Sequence, residues 1–362
     1  MNRTPDPAAP ADPTPTTRRE PRTSSMRIRA GLAAAASLLL LACGAPAANA
    51  DTSHPSDRAA ARAAAAPAAR VVPIAGTGHY LVYGRYTPVQ SGETSVRLYS
   101  LDSRGQTRSL GSILTDTPTK VAATAAGTVL VATKNGSANY RWDLTTGTRT
   151  TIGAYTVAAP GGYVESDTIG TGEQARLTVV LVRPSGRTEL GVPFPGADTD
   201  VGPYRLSSGS AGVTVTDSTG HIRFIAFAHP RTVRLLHTYN EGRYESSVSC
   251  GAFTSTSVAC AGFNEETTTL MGLQLNGSGF SHTTPTCSGS PAALHTAIAW
   301  VGCRNRLEVL HADSSITVSK STFGTARPVS AFGKIVLQSR SGTTLQSMTR
   351  AGSTPKTVVP AR

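Results

Sequence analysis

Residues 140–147 read Tyr-Arg-Trp-Asp-Leu-Thr-Thr-Gly, and this stretch decides how the rest of the chain is interpreted. Apolar and polar side chains alternate up to Asp143, which favours a strand with one buried face. Turn-forming residues then lead to Gly147, and Ile152-Gly153 ends a short return strand. A glycine in such a turn supplies the positive φ that a tight hairpin requires. The stretch therefore predicts a strand–turn–strand unit of an all-β protein.

The same unit recurs along the chain at a regular spacing. Val96–Gly105 ends in a similar turn, and its return strand runs to Leu110-Gly111. Further turns are predicted at Pro184-Ser185-Gly186, His229-Pro230, Asn276-Gly277, Asp313-Ser314-Ser315 and Ala351-Gly352. The six intervals from Gly105 to Gly352 average about 41 residues, which is the length of a four-stranded propeller blade.

A second strand, nearer the start of each unit, keeps the same period. It usually follows a glycine, as at Gly78, Gly127, Gly162, Gly212 and Gly333. Ser257–Cys260 and Thr296–Trp300 take this place in units five and six. Two features with one period predict an all-β, seven-bladed β-propeller over residues 71–362. Tandem β-sandwich domains are the alternative, because they also have short strands at regular spacing.

The stretch Tyr140–Gly147 resembles the third strand and following turn of a WD40- or YVTN-type propeller blade. The resemblance covers residues 71–362 as a rhythm, and the Trp142-Asp143 pair occurs in the second unit alone. It implies a ring of four-stranded sheets around a central channel. It concerns architecture and implies no substrate.

The N-terminal segment has the pattern of an export signal of a bacterial-type cell. A basic start at Met26–Arg29 precedes an apolar run, and Ala48 and Ala50 are the small residues before a cleavage site at Asp51. Residues 26–50 are therefore predicted to be a secretory signal peptide. The apolar run is shorter than the roughly 20 residues that span a bilayer, so no transmembrane segment is expected after processing.

Two flanking segments and one cysteine complete the interpretation of this region. Residues 1–25 are interpreted as a mis-assigned upstream extension, and residues 51–70, rich in Ala, Arg and Pro, as a disordered linker. Leu40–Cys43 resembles a bacterial lipobox, which makes Cys43 a candidate for lipidation. Release after Ala50 is the favoured expectation. Lipid anchoring on the outer face of the cytoplasmic membrane is the alternative.

The other four cysteines predict disulfides. An even number of cysteines in one stretch of an exported chain favours two bridges over a metal site, and no C-x-x-C pair is present. The simplest of the three pairings joins Cys250 to Cys260 and Cys287 to Cys303, each pair within one blade. In both units the two cysteines are expected on the first and second strands.

Charge and motifs exclude more functions than they indicate. Residues 51–362 keep 28 basic and 19 acidic side chains, a net charge of +9, which suits an anionic envelope polymer as partner. The basic residues are scattered, so no nucleic acid is expected. No nucleophile elbow, zinc motif or dinucleotide fingerprint is present. Asp198 and Asp200 resemble the start of a calcium loop that lacks its final Glu, so they are weak metal candidates.

The sequence leaves the binding residues unknown and predicts no catalytic residue and no cofactor. Loops on a rigid scaffold are the places to search for a binding site. The candidates are Tyr86–Gly92, Glu165–Glu173, Phe194–Pro203, Thr238–Glu245 and Phe263–Thr268. The favoured function is an exported, monomeric, non-enzymatic binding or scaffolding protein with a protein or polymer partner. A secreted lyase or glycosidase and a lipid-anchored envelope assembly factor are the alternatives.

Overall fold

The computed structural model describes residues 69–89, 93–115, 121–133, 138–169, 176–193, 205–217, 220–239, 247–263, 267–285, 290–294 and 296–361. Within these ranges the chain forms 28 β-strands and no helix. The strands make seven antiparallel four-stranded sheets, called blades 1 to 7 here in chain order. Each blade consists of four strands that are consecutive in the sequence.

The strands follow one another with short connections. Blades 1 to 4 contain β1 (Arg70–Gly76), β2 (Tyr80–Pro88), β3 (Thr94–Asp102), β4 (Thr107–Thr115); β5 (Ala123–Ala126), β6 (Val129–Thr133), β7 (Ala138–Asp143), β8 (Arg149–Gly153); β9 (Val157–Ala159), β10 (Gly162–Ile169), β11 (Arg176–Arg183), β12 (Gly186–Gly191); and β13 (Arg205–Ser208), β14 (Gly212–Thr216), β15 (His221–Ala226), β16 (Val233–Thr238). Blades 5 to 7 contain β17 (Ser247–Phe253), β18 (Ser257–Phe263), β19 (Thr267–Gln274), β20 (Gly279–Pro285); β21 (Ala292–Leu294), β22 (Ala297–Val301), β23 (Arg306–His311), β24 (Ile316–Thr322); and β25 (Val329–Ala331), β26 (Lys334–Gln338), β27 (Leu345–Met348), β28 (Lys356–Val359).

The first strands of the blades surround a common axis. Each first strand contacts the first strands of the two neighbouring blades, and β25 of blade 7 returns to β1 of blade 1. The sheets therefore form a closed ring around an axial channel, which is the architecture of a seven-bladed β-propeller. The predicted fold is confirmed, together with its WD40-like resemblance at the level of architecture. The sandwich alternative is excluded, because the seven sheets form one ring.

The hydrophobic core lies between adjacent blades. One cluster joins blades 1 and 2 and includes Leu98, Leu110 and Trp142, all of them buried. The Trp142 indole has no exposed surface, and its Nε1 donates a hydrogen bond to the carbonyl oxygen of Leu110 at 2.8 Å. The tryptophan of the decisive stretch thus fixes the third strand of blade 2 against the outermost strand of blade 1.

The turn between the third and fourth strands repeats the same local chemistry. Oδ1 of Asp143 accepts hydrogen bonds from the backbone N–H groups of Thr145 and Thr146. Asp102, Asn276 and Asp313 make equivalent bonds in blades 1, 5 and 6. Gly147 follows with φ 81°, a conformation that costs glycine little. All seven predicted turns lie between the third and fourth strands of their blades.

The ring closes without exchanging a strand between its first and last blades. The backbone N–H of Val71 in β1 donates to the carbonyl oxygen of Gly342 at 2.8 Å, and Nε2 of Gln338 donates to the carbonyl oxygen of Val71 at 2.7 Å. A buried cluster that includes Val71, Leu81, Val336 and Leu345 packs between blades 1 and 7. Side-chain packing and a few hydrogen bonds therefore hold this junction.

The disulfide prediction is confirmed for one pair and corrected in one detail. Cys250 and Cys260 face each other across β17 and β18 and are bonded, with their Cα atoms 4.0 Å apart. Cys303 is also disulfide-bonded. The expectation that Cys303 lies on a second strand is wrong, because β22 ends at Val301 and a turn begins at Gly302. Cys287, its predicted partner, lies outside the described residues.

Candidate functional site

A cavity of about 430 Å³ occupies one end of the axial channel. Its described lining comes from blades 1 to 5 and blade 7, through the first strands and the turns that join them to the second strands. We call these connections the first turns; they include Thr77–His79, Gly209-Ser210 and Thr254-Ser255. The cavity size is within the usual range of small-molecule sites.

Small side chains make this space, because the first strands converge there. Ala125, Ser208, Gly251 and Ser330 are examples from four blades. Backbone groups on the open edges of these strands are paired by neighbouring side chains. Ala158 in β9, for example, donates its N–H to Oγ1 of Thr124 at 2.8 Å and accepts a hydrogen bond from Oγ of Ser208 at 2.5 Å. The wall of the channel is therefore held by specific bonds between blades.

The Arg327 guanidinium extends into this cavity. Arg327 precedes β25, so its backbone lies at the opposite end of the first strands from the first turns. Nη2 makes one long hydrogen bond, 3.4 Å, to the carbonyl oxygen of Pro291. The side chain is exposed to the space of the channel while protein surrounds that space. This enclosure lowers the pKa of the Arg327 guanidinium below its usual value, because it weakens the hydration of the charge.

A glycine on the opposite wall leaves room for this side chain. A Cβ added at Gly251 of β17 would collide with both terminal nitrogens of Arg327. Gly251 adjoins Cys250, so the disulfide to Cys260 braces the strand that the guanidinium contacts. The described lining contains no Asp or Glu, and Arg327 forms no salt bridge with any described residue. The site therefore presents a positive charge that no described carboxylate neutralises.

Two other groups of charged residues are located away from this cavity. Asp217 of the turn after β14 accepts hydrogen bonds from the His221 ring and from Arg223, each at 3.1 Å. Arg187 pairs with Glu165 and Asp167 on the surface of blade 3. In both groups opposite charges are already paired. The first group connects the neighbouring strands β14 and β15, and the second connects β10 and β12 across β11, which explains both as structural contacts within one blade.

A second depression of about 300 Å³ lies on the outside of blades 5 and 6. His282, Arg304, Arg306 and Glu308 contribute to its lining. Within the described ranges, no group of three or more His, Cys, Asp or Glu side chains could hold a metal ion. The same part of the chain contains no helix of the length and hydrophobicity needed to cross a membrane.

Several residues that the sequence singled out lie outside the described residues. They are the lipidation candidate Cys43, the predicted cleavage-site residues Ala48, Ala50 and Asp51, and the calcium candidates Asp198 and Asp200. The five candidate loops are described only at their ends, except 194–203, which is not described at all. None of the described ends lines the axial cavity.

The residues that line the cavity were therefore not predicted from the sequence. One feature of the sequence does point to some of these residues. The glycines that precede the second strands, Gly78, Gly127 and Gly333 among them, belong to the first turns and line the cavity. Arg327 had no such signal, because one Arg in an Ala-Arg-Pro sequence looks like any surface residue.

The chain is similar to solved propeller structures, but the comparisons assign it to no family. No protein-family model matches the chain, and no curated protein matches it. Among solved structures, apo AztD from Citrobacter koseri shares 12% identity over 77% of this chain and 82% of its own, with a TM-score of 0.46. An oligogalacturonate lyase from Vibrio parahaemolyticus shares 11% over 75% and 87%, with a TM-score of 0.42. BamB from Moraxella catarrhalis shares 14% over 75% and 82%, with a TM-score of 0.37. The fold assignment rests on the seven sheets, and these similarities carry no argument about function.

Proposed function

We propose that the chain is an exported, non-enzymatic binding propeller of the cell envelope or the medium that holds a ligand in its axial cavity. The observation that carries this proposal is the cavity itself, which is lined by residues of six blades and has no Asp or Glu among its described lining residues. A site assembled from many rigid strands suits binding, because its shape is fixed before the ligand arrives.

Two features support export. The Cys250–Cys260 disulfide fits an oxidising compartment. Residues 26–50 have the parts of a signal peptide. The proposal places the N-terminus of the released protein at Asp51, and residues 71–362 form the propeller domain. An intact mass of the chain recovered from its native host tests this point. A mass that begins at lipidated Cys43 would instead place the protein on the membrane surface.

The binding proposal is tested on the full chain purified from its native host with a C-terminal affinity tag. Bound small molecules are released by denaturation and identified by mass spectrometry. Ser330→Trp narrows the cavity and should reduce recovery of the ligand. Ser103→Trp adds the same side chain to an exposed turn of blade 1 and is the matched control.

The expected result is a ligand that wild type and Ser103→Trp retain and Ser330→Trp loses. The recovered ligand is then incubated with fresh protein and analysed again. Chemical conversion of the ligand would refute a non-enzymatic role and favour the lyase or glycosidase alternative. Equal recovery from all three proteins would show that the axial cavity is not the binding site.

A further inference from the structure

We propose that the axial cavity binds a small carboxylate, with the Arg327 guanidinium as the group that recognises the anion. This inference rests on the proposed binding function and specifies the chemical class of its ligand. Three observations carry it: the position of Arg327, the absence of an acidic partner among the described lining residues, and the polar groups around it.

The Arg327 guanidinium has more hydrogen-bond donors than its contacts with the described residues use. A guanidinium has five N–H donors in a planar fork. Its one recorded hydrogen bond to a described residue is the 3.4 Å contact from Nη2 to Pro291. Several donors are therefore available to a ligand in the cavity. Two parallel N–H groups of one guanidinium match the two oxygens of a carboxylate.

The positive charge of Arg327 is not balanced by any described residue that lines the cavity. The Arg327 side chain faces the space of the channel, and no described carboxylate neutralises it. A positive charge in such a place is less well hydrated than at the surface, so a bound anion restores favourable electrostatics. One guanidinium balances one negative charge. A monocarboxylate therefore fits the site better than a doubly charged phosphate.

Three serine hydroxyls are further polar groups in the cavity. Ser210, Ser255 and Ser330 line the same cavity, and no described residue forms a hydrogen bond with their hydroxyls. These groups can donate to or accept from hydroxyl substituents of the ligand. The cavity thus suits a small carboxylate whose body combines apolar surface with a few polar groups. A polymer chain would have to enter by its end.

The test uses the full chain and two probes of nearly equal shape, benzoate and its neutral analogue benzamide. Isothermal titration calorimetry measures both at constant ionic strength, and inorganic phosphate is titrated in the same way for comparison. Wild type should bind benzoate more tightly than benzamide. Arg327→Gln should weaken benzoate binding by about 10- to 100-fold, because charge-assisted hydrogen bonds are lost. Benzamide binding should stay within a factor of about 3 in both proteins.

Arg104→Gln is the matched control, because Arg104 is exposed in a turn of blade 1 and does not line the cavity. It removes the same charge and should leave benzoate binding unchanged. Circular dichroism and the urea midpoint verify that both variants fold. If Arg327→Gln does not fold, Gly251→Ala is used, which displaces the guanidinium and should also weaken benzoate binding.

Three outcomes would overturn the inference. They are equal binding of benzoate and benzamide by wild type, equal loss in Arg104→Gln and Arg327→Gln, and tighter binding of inorganic phosphate than of benzoate. Failure of the proposed function looks different. A native ligand retained unchanged by Arg327→Gln would leave the binding function intact and refute the carboxylate site. A carboxylate that binds through Arg327 and is then chemically converted would support the carboxylate site and refute the non-enzymatic function.

Discussion

At the scale of single residues, the two tryptophans differ in one hydrogen bond. Trp142 and Trp300 are both fully buried. The Trp142 indole donates to the Leu110 carbonyl, whereas Nε1 of Trp300 has no hydrogen-bond partner among the described residues. Trp142→Phe should therefore lower the free energy of unfolding by about 1–3 kcal/mol more than Trp300→Phe, because it leaves the buried Leu110 carbonyl unpaired.

Urea unfolding measures both variants, and each keeps one tryptophan as its fluorescence probe. Both substitutions remove the same side-chain volume, so the difference between them reports on the two indole N–H groups, of which one is paired and one is not. Equal destabilisation would mean that packing alone explains the role of Trp142. The Trp-Asp pair would then be conventional core and turn residues without a contribution from the indole N–H.

At the scale of elements, the disulfide joins the innermost strand of blade 5 to its neighbour. Cys250 and Cys260 are buried and close a short loop between β17 and β18. The double variant Cys250→Ala, Cys260→Ala should lose about 2–3 kcal/mol of stability, because the unfolded chain regains the freedom of that loop. Hydrogen exchange of β17 and β18 should increase more than that of the other strands.

Cys303→Ala is the control for this prediction, because it breaks the other disulfide and leaves β17 and β18 intact. It should increase exchange around the turn after β22 and leave blade 5 protected. An unchanged urea midpoint of the double variant would contradict a stabilising role for the Cys250–Cys260 bridge.

The strands and turns of each blade are also the features that the sequence predicts best. The third and fourth strands of each blade are joined by a turn whose signal is local, such as Asp143 and Gly147, so the residue types alone locate it. Five of the seven second strands follow or begin at a glycine, and β18 and β22 are the exceptions. The position of Cys303 was wrong by a few residues, because the end of β22 depends on a turn at Gly302 that its sequence does not distinguish from a strand.

At the scale of the whole molecule, the junction of blades 1 and 7 depends on Gln338. This side chain is buried, and its Nε2 donates to the carbonyl oxygens of Val71 at 2.7 Å and Gly342 at 3.5 Å. Gln338→Ala should lower the free energy of unfolding by about 1–3 kcal/mol, because a buried carbonyl loses its donor. Hydrogen exchange should rise in β1 and β26 together, since both lie at the junction.

Gln346→Ala is the matched control for Gln338→Ala. Gln346 is half-buried in β27 of the same blade, and no side-chain hydrogen bond to a described residue is recorded for it. It should change stability by less than about 0.5 kcal/mol. Exchange that rises uniformly over all seven blades in Gln338→Ala would show that the ring unfolds as a unit and that its junction has no separate opening.

The axial cavity belongs to this largest scale, which explains why it was not found from the sequence. Arg327 and Gly251 are 76 positions apart in the sequence, and only the arrangement of the blades around the axis brings them together. Periodicity predicts that a channel exists, since it gives the number of blades. It does not indicate which of the many arginines extends into the channel.

The closure without strand exchange also has a mechanical consequence. β1 lies at the axis of blade 1 and β28 at the rim of blade 7, and no backbone ladder connects these two blades. A force that pulls the two chain ends apart would act on side-chain packing at the junction before it acts on any sheet. Once the junction has opened, each blade can be peeled away strand by strand, with few hydrogen bonds loaded at a time. The ring is therefore weaker under tension across this junction than within any of its sheets.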